Sequence, residues 1–435
     1  MSKQTVIVIG AGPAGLMAAG QTALNYPRKK VMLIEKMPEP GIKLALTGNG
    51  RCNLTNAMPI QEFKQQIWTN FKWLKHALFS FTNQNLRDFF QNLGIQTTIE
   101  AEQKIFPKNQ KAADIVKTLV QWNLNLEVEI LTNTKVTKLL LTNEPVMLRS
   151  FQSKISGVEI ESMKDQTTQT LNADQVIITT GGMSYPKTGS TGDGYQLAKS
   201  VGHTIIPIQP ILVAMETKRS LAQQLQGLSL SGVTISAWVN GRKIAQEYGD
   251  ILFTHFGISG PAVLALSQHI VIAINQQQEV MISLDLFPEE NDQALDKKLL
   301  QMLNNHNNLY VINALKGICP TRLLPICLEK INLLPEKRVN QVSAIERKKL
   351  RYLLKNFQLP IKALRPISEA IVTRGGISTT EIDPKTMASK LVNGLYFAGE
   401  ILDVDANTGG FNLQIAFSTG WLAGFKRLRQ NYLEP

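Results

Sequence analysis

The sequence predicts an α/β protein whose first and last segments form one domain around a parallel sheet, interrupted by a β-rich insertion and a helical piece. Three observations lead there. Thr5 to Ile9 is a β-branched run that enters Gly10-Ala11-Gly12-Pro13-Ala14-Gly15 and then a stretch of small residues. A second apolar run, Gln175 to Thr179, enters a glycine-rich loop from Gly181 to Gly194, and a third, Gly394 to Ala398, enters a glycine turn and a helical pattern from about Phe411 to Arg429. Between the second and third runs the texture changes twice, and 435 residues leave room for two or three domains.

Thr5 to Ile9, a continuous apolar run stopped by glycine, reads as a strand covered on both faces. Ala14 to Asn25 reads as a helix and Val31 to Glu35 as the next strand. Residues 60–122 are mostly helical in pattern, with a break from Gly94 to Pro107. Leu126 to Leu141 and Ile155 to Ile160 read as paired strands. Residues 204–285 alternate in short strands, with turn signals at Asn240-Gly241 and Gly249-Asp250. From Pro288 to about Asn356 the pattern is helical, with breaks at Pro320, Pro325 and Pro335. The expected domains are 1–200 with 379–435, 204–287 with about 357–378, and 288–356.

Hydrophobic residues make up 43% and charged residues 18%, a soluble globular composition. Cys52, Cys319 and Cys327 form no CxxC pair and sit in no Cys/His cluster, which argues against a disulfide framework, a dithiol motif and a metal site. Gly10, Gly12, Pro13 and Gly15 break the apolar start, as a nucleotide loop does and a signal peptide does not. No run reaches the ~18 apolar residues that span a bilayer. A cytoplasmic protein without a membrane partner is expected. Net charge is +12, and residues 330–374 hold eleven Lys/Arg against three Asp/Glu, a local +8. Such a field favours a polyanion such as ribosomal RNA, or it is a solvated helical face. No aromatic-interleaved RNA module accompanies it.

The glycine loop carries the strongest chemistry. Gly10 permits a tight turn, Gly12 lets a pyrophosphate approach the backbone, and Gly15 lets helix and strand pack closely. The helix start at Ala14 turns N–H groups and partial positive charge toward the phosphates. Glu35, 20 positions after Gly15 and followed by Lys36, can accept from ribose hydroxyls. A carboxylate there argues against a 2′-phosphate. Gly399-Glu400, after its own strand, resembles the second FAD fingerprint of two-dinucleotide-fold flavoproteins, where the acid holds the ribityl chain or a phosphate. Thr180-Gly181 resembles their middle fingerprint. No second GxGxxG occurs, so NAD(P)H enters only as a transient reductant.

Three further segments complete a pattern. They are Thr47-Gly48-Asn49-Gly50-Arg51-Cys52-Asn53, Phe253-Thr254-His255-Phe256-Gly257-Ile258-Ser259-Gly260-Pro261, and Leu402-Asp403-Val404-Asp405-Ala406-Asn407-Thr408-Gly409-Gly410-Phe411-Asn412. The set resembles the bacterial YhiN/BaiN family of flavoproteins, from Gly10 to Gly424. The resemblance implies FAD, a discontinuous Rossmann-like domain, an inserted β-barrel-like domain and a small helical domain. It also implies diverse activities: steroid C=C reduction, oxidation of a small aminoketone, and reduction of a ribosomal RNA uridine to dihydrouridine.

Within these segments Gly48 and Gly50 allow close backbone approach, and Arg51 can meet a pyrophosphate or substrate anion, or lock the fold in an ion pair. Gly409 and Gly410 precede a helix start that can face the electron-rich edge of a flavin, beside Phe411 and Asn412. Asp403 and Asp405 bind cofactor or shape the turn. Cys52 and His255 are the candidate proton donors for C=C reduction; the alternatives are an inert buried cysteine and a structural or substrate-binding histidine. Ser259 reads as a helix N-cap and His203 as structural. The favoured reading is FAD-dependent reduction of a polarised C=C in ribosomal RNA uridine. A small-molecule oxidase or reductase and a non-catalytic flavin- or RNA-binding protein are the alternatives.

Overall fold

A computed structural model of the chain describes residues 4–146, 150–305 and 308–425. It is mixed α/β and divides into two compact units, one running to Gln209 and resuming at Val372, the other from Pro210 to Ile371.

The first unit is built on a parallel sheet of five strands: β1 (Thr5–Ile9), β2 (Lys30–Ile34), β3 (Glu129–Leu131), β4 (Gln175–Ile178) and β5 (Leu395–Phe397). Their order is β5-β4-β1-β2-β3. Val8 lies opposite both Leu33 and Ile177, and Ile177 opposite Tyr396. All but the first residue of β1, β2 and β4 is buried, as a sheet covered on both faces requires. The chain therefore returns, more than 200 residues after β4, to complete the same sheet.

The first helix, Pro13–Asn25, and the last, Phe411–Gly424, pack together. A Cβ on Gly420 would stand 2.4 Å from the Ala14 carbonyl oxygen, so this contact needs glycine. The expected helix end at Arg429 lies outside the described residues. An antiparallel meander, Thr134–Val146, Ser150–Ser162 and Thr168–Asn172, flanks the sheet. The paired-strand expectation holds for 134–141 with 155–160. Residues 129–131 instead join the parallel sheet. His203 is structural as expected: its ring atoms meet Glu381 and Ser389 at 3.0 and 2.8 Å, and its edge faces Phe397.

The second unit holds a seven-stranded antiparallel sheet. Its long hairpin, Ser229–Val239 with Arg242–Phe253, turns at Asn240-Gly241, both at positive φ (48° and 76°), as the sequence predicts. Gly249-Asp250 is not a turn. The pairing steps from Leu230–Ile251 to Val233–Gly249, so this glycine marks a bulge inside the strand. Ser259 is not the N-cap either; Gly260 takes that place, with Pro261 opening the helix Pro261–Asn275. The helices between 292 and 355 do not form a separate core. Leu295, Leu299, Leu350 and Leu354 share one cluster with Ile235, Phe253, Val263 and Ile282 of the sheet and its helix.

Candidate functional site

The glycine loop leaves β1 at Gly10 and enters the first helix at Gly12, its N-cap, with Pro13 in the first turn. Two of its glycines are constrained for different reasons. A Cβ on Gly15 would lie 1.8 Å from the Gly10 carbonyl oxygen, so the helix can seat on the strand only with glycine there. Gly12 has ordinary backbone angles (φ −77°), and no protein atom lies within 4 Å of where its Cβ would be. The chain itself gives no reason for glycine at 12; a group approaching the helix start from outside does. Glu35 accepts from the Ala11 N–H at 2.7 Å and the Met37 N–H at 2.9 Å, and so ties the loop to the end of β2. Burial raises its pKa against the pull of those hydrogen bonds.

Beside this loop, Glu400 gathers a polar node. Its Oε2 receives Lys43 Nζ at 2.7 Å; its Oε1 receives the Thr373 N–H at 3.0 Å and Ser184 Oγ at 3.3 Å. Lys43 also reaches Ser184 Oγ at 2.7 Å. Burial opposes the Glu400 charge, but the Lys43 ammonium and these hydrogen bonds outweigh it and hold the carboxyl below its ordinary range. Gly399 (φ +83°) sets the turn against Ala14, and a Cβ on Gly181 (φ +73°) would stand 3.9 Å from Glu400 Oε2. Thr180 Oγ1 is sealed from solvent with no hydrogen-bond partner among the described residues. A dinucleotide fits this cradle: open space before Gly12, carboxylates just past the ends of two strands of the one parallel sheet, and a buried hydroxyl in want of a partner. Lys43, Ser184 and Thr373 escaped the sequence reading. Lys43 lies in a helix just before the Thr47 motif, and nothing in the spacing of the three marks them as neighbours.

The other predicted residues divide. Gly48, Asn49 and Gly50 form a left-handed run (φ 58°, 57° and 82°) that Asn49 adopts at a steric cost. Arg51, expected at an anion, pairs with Glu100 and lies over the Phe106 ring at 4.1 Å, the fold-locking alternative. Lys36, expected beside cofactor, is engaged by Asp193 and Thr191. Phe411 is buried against Phe63, ring centroids 4.9 Å apart, and serves the core. Asn412 spends both side-chain groups on Ala406 and Asn407, closing its own loop. Gly410 (φ +95°) lets that loop pass Thr55, whose carbonyl oxygen a Cβ would meet at 2.4 Å, and the Gly409 carbonyl accepts from Asn56. Asp403 accepts from Asn70, and burial raises its pKa. Asp405 is fully buried on Arg374 (2.8 Å) and Thr69 (2.6 Å). These contacts fit the turn-shaping alternative for both aspartates.

Cys52 is fully buried in an apolar cluster with Val6, Leu44 and Leu54, and burial pushes its thiol up to about 12. That environment fits the inert alternative. In the second unit His255 is exposed and stands edge-on to Phe256, while Arg365 covers that ring and binds Glu216 and Glu369.

The basic segment also needs correction. Six of its eleven cations pair with carboxylates: Lys337 with Glu346, Arg347 and Arg351 with Asp296, Lys355 with Asp285, Arg365 with Glu216 and Glu369, Arg374 with Asp405. Four of these carboxylates, Asp285, Asp296, Glu216 and Asp405, lie outside the segment and offset half of the local +8. No helix of the described residues is long and apolar enough to cross a membrane, and no group of three or more His/Cys/Asp/Glu among them is placed to hold a metal.

A parallel sheet with a glycine turn, an acid on the second strand and a second glycine–acid turn on the strand that returns is the architecture of an FAD-dependent oxidoreductase. The chain belongs to the family described as HI0933-like protein Rossmann domain, whose model matches residues 4–426. It is 30% identical, over 96% of its own length and 97% of the relative's, to a 3-dehydro-bile acid delta(4,6)-reductase of Clostridium scindens. It is also 30% identical, over 97% of both chains, to a ribosomal RNA dihydrouridine synthase of Escherichia coli. Among solved structures a quinol-fumarate reductase shares the fold, with a TM-score of 0.50 and 17% identity over 98% of this chain and 71% of that one.

Proposed function

We propose that the protein reduces a polarised C=C bond, with a uridine of ribosomal RNA as substrate and dihydrouridine as product. The observation that carries this reading is the near full-length likeness to relatives named for such reactions: two ribosomal RNA dihydrouridine synthases and a 3-dehydro-bile acid delta(4,6)-reductase. FAD, when bound, supplies a hydride to one carbon of the double bond. The chain's own residues do the rest. Gly12 and the helix start hold the pyrophosphate, and Glu35 the ribose. Lys43, Ser184 and Thr373 keep Glu400 ionised and oriented at the second turn. The N-terminus of the last helix, reached through Gly409-Gly410, favours negative charge on a facing group. The second carbon needs a proton. Of the two titratable candidates only His255 is open to a substrate, so it takes the acid role and Cys52 does not. NAD(P)H is the proposed source of electrons.

Mass spectrometry of ribosomal RNA from a deletion strain tests the substrate. A dihydrouridine that disappears with the gene and returns with it is the expected result; an unchanged dihydrouridine content removes RNA as the substrate. The equally close bile-acid relative supports a second reading, reduction of a small enone. NAD(P)H consumption by the purified protein with a panel of enones, and none with RNA, would favour it.

A further inference from the structure

Removing the paired cations from residues 330–374 leaves five: Lys330, Arg338, Lys348, Lys349 and Lys362. Lys348 and Lys349 are exposed and have no ion pair among the described residues. They lie on the helix Ala344–Lys355, which a capping box holds at its start: Ser343 Oγ receives the Glu346 N–H and the Glu346 carboxylate receives the Ser343 N–H. The helix buries Leu350 and Leu354 and turns Arg347 and Arg351 toward Asp296. Its outer face carries Ile345, Lys348, Lys349 and Tyr352, spaced as one helical stripe. Ile345 and Tyr352, at 69% and 64% exposure, are among the three most exposed large apolar side chains of the described residues. Tyr352 is oriented by a 2.7 Å hydrogen bond from Asn356 to its hydroxyl. Against the first turn of the helix, Lys337 bonds both Glu346 oxygens, which brings up Arg338, stacked 4.6 Å from the Tyr310 ring centroid.

Free cations flanking an oriented, exposed aromatic ring, with the nearest glutamate of the helix already neutralised by Lys337, make a surface complementary to a strand that is anionic along its backbone and flat at its bases. We propose that the outer face of this helix, with the Arg338–Tyr310 stack, docks unpaired RNA: phosphates on Lys348, Lys349 and Arg338, a base on Tyr352, and a ribose against Ile345. This rests on the reading of RNA as substrate and adds where the RNA is gripped apart from the reacting base.

The test is fluorescence anisotropy of the FAD-loaded protein with a short uridine-rich RNA oligonucleotide over a range of salt concentrations. Lys348→Gln/Lys349→Gln is expected to weaken binding about tenfold and to flatten the slope of log Kd against log salt by about 1.4. Tyr352→Ala is expected to weaken it about fivefold or more. Both should leave flavin content as it is and melting temperature nearly so, since these side chains are exposed. Unchanged RNA affinity in both variants overturns the proposal, as does a wild-type protein that ignores RNA but binds phosphatidylglycerol vesicles or an acidic protein through the same residues. The two readings fail separately. If the deletion strain loses dihydrouridine and the variants bind RNA normally, this surface falls and the substrate stands. If the variants bind poorly and the strain keeps its dihydrouridine, the surface stands and the substrate falls.

Discussion

Glu400 in one unit and Asp296 in the other are carboxylates of nearly equal exposure, 23% and 26% of the side chain, and each serves several donors. Glu400 takes one ammonium, a backbone N–H and a hydroxyl, all from segments that meet at a glycine turn. Asp296 takes two guanidiniums from successive turns of one helix, at 3.2 and 3.6 Å. Arg347 grips Asp296 with two parallel hydrogen bonds of 3.2 Å, but both partners belong to the helical surface, where such pairs chiefly fix how helices lie together. A carboxylate locked to backbone at a turn beside open space is poised for something the chain does not itself supply. Ionic contacts alone therefore do not tell a site from a scaffold. What tells them apart is whether the neighbouring backbone keeps room that the fold has no use for.

The sharpest way to break that comparison is inside the glycine loop. Gly12→Val has allowed backbone angles and open space, so the apo-protein should melt as the wild type does while FAD affinity falls by two orders of magnitude or more, about 3 kcal/mol. Gly15→Val should yield no folded protein, because its Cβ meets the Gly10 carbonyl oxygen at 1.8 Å. Flavin absorbance and thermal melts of both variants decide it; a Gly12→Val protein that keeps FAD would remove the cradle.

Next in size is Glu400→Gln, expected to destabilise by about 1–3 kcal/mol through loss of charge-assisted hydrogen bonds. Its sign with pH is fixed. The native carboxyl lies below the ordinary value of 4.5, so its contribution is complete above that value and is lost as pH falls through the native one. Wild type should lose stability faster than Glu400→Gln on acidification below about pH 4.5. Parallel acid limbs in urea titrations would show that Glu400 is not ionised in this node. Asp296→Asn should cost less, about 0.5–1 kcal/mol. By freeing Arg347, and leaving Arg351 only Asp292, it should also tighten and steepen salt-dependent RNA binding. No gain in affinity would mean that those pairs do not mask the field.

These differences explain what could be read from the sequence. The β1 turn, the first helix and the return of β5 to the sheet were legible because each rests on local backbone demands: a glycine where a carbonyl is close, a β-branched run where both faces are covered. Lys43 with Ser184 and Glu400 joins residues 141 and 357 positions from Lys43 and has no period to reveal it. For the same reason residues 330–374 read as a free positive field: Asp285, Asp292 and Asp296, which neutralise part of it, lie earlier in the sequence. Gly249 looked like a turn because a bulge and a turn ask the same freedom of one residue.

The smallest expected effect concerns Cys52, and it is informative because it is small. The thiol sits at positive φ (61°) in an apolar cluster, with burial pushing its pKa up to about 12. At neutral pH the thiolate population is then about one part in 100,000. Cys52→Ala should keep flavin content and turnover, at a cost of about 1 kcal/mol for the sulfur removed from the cluster. Native wild-type protein should resist iodoacetamide at this position until it is unfolded. His255→Gln should instead lose turnover while keeping FAD, because the glycine loop and the Glu400 node are built without His255. If Cys52→Ala abolishes turnover with flavin still bound, the proton comes from a side chain the static packing hides. The apolar cluster around β1 would then have to open during the reaction.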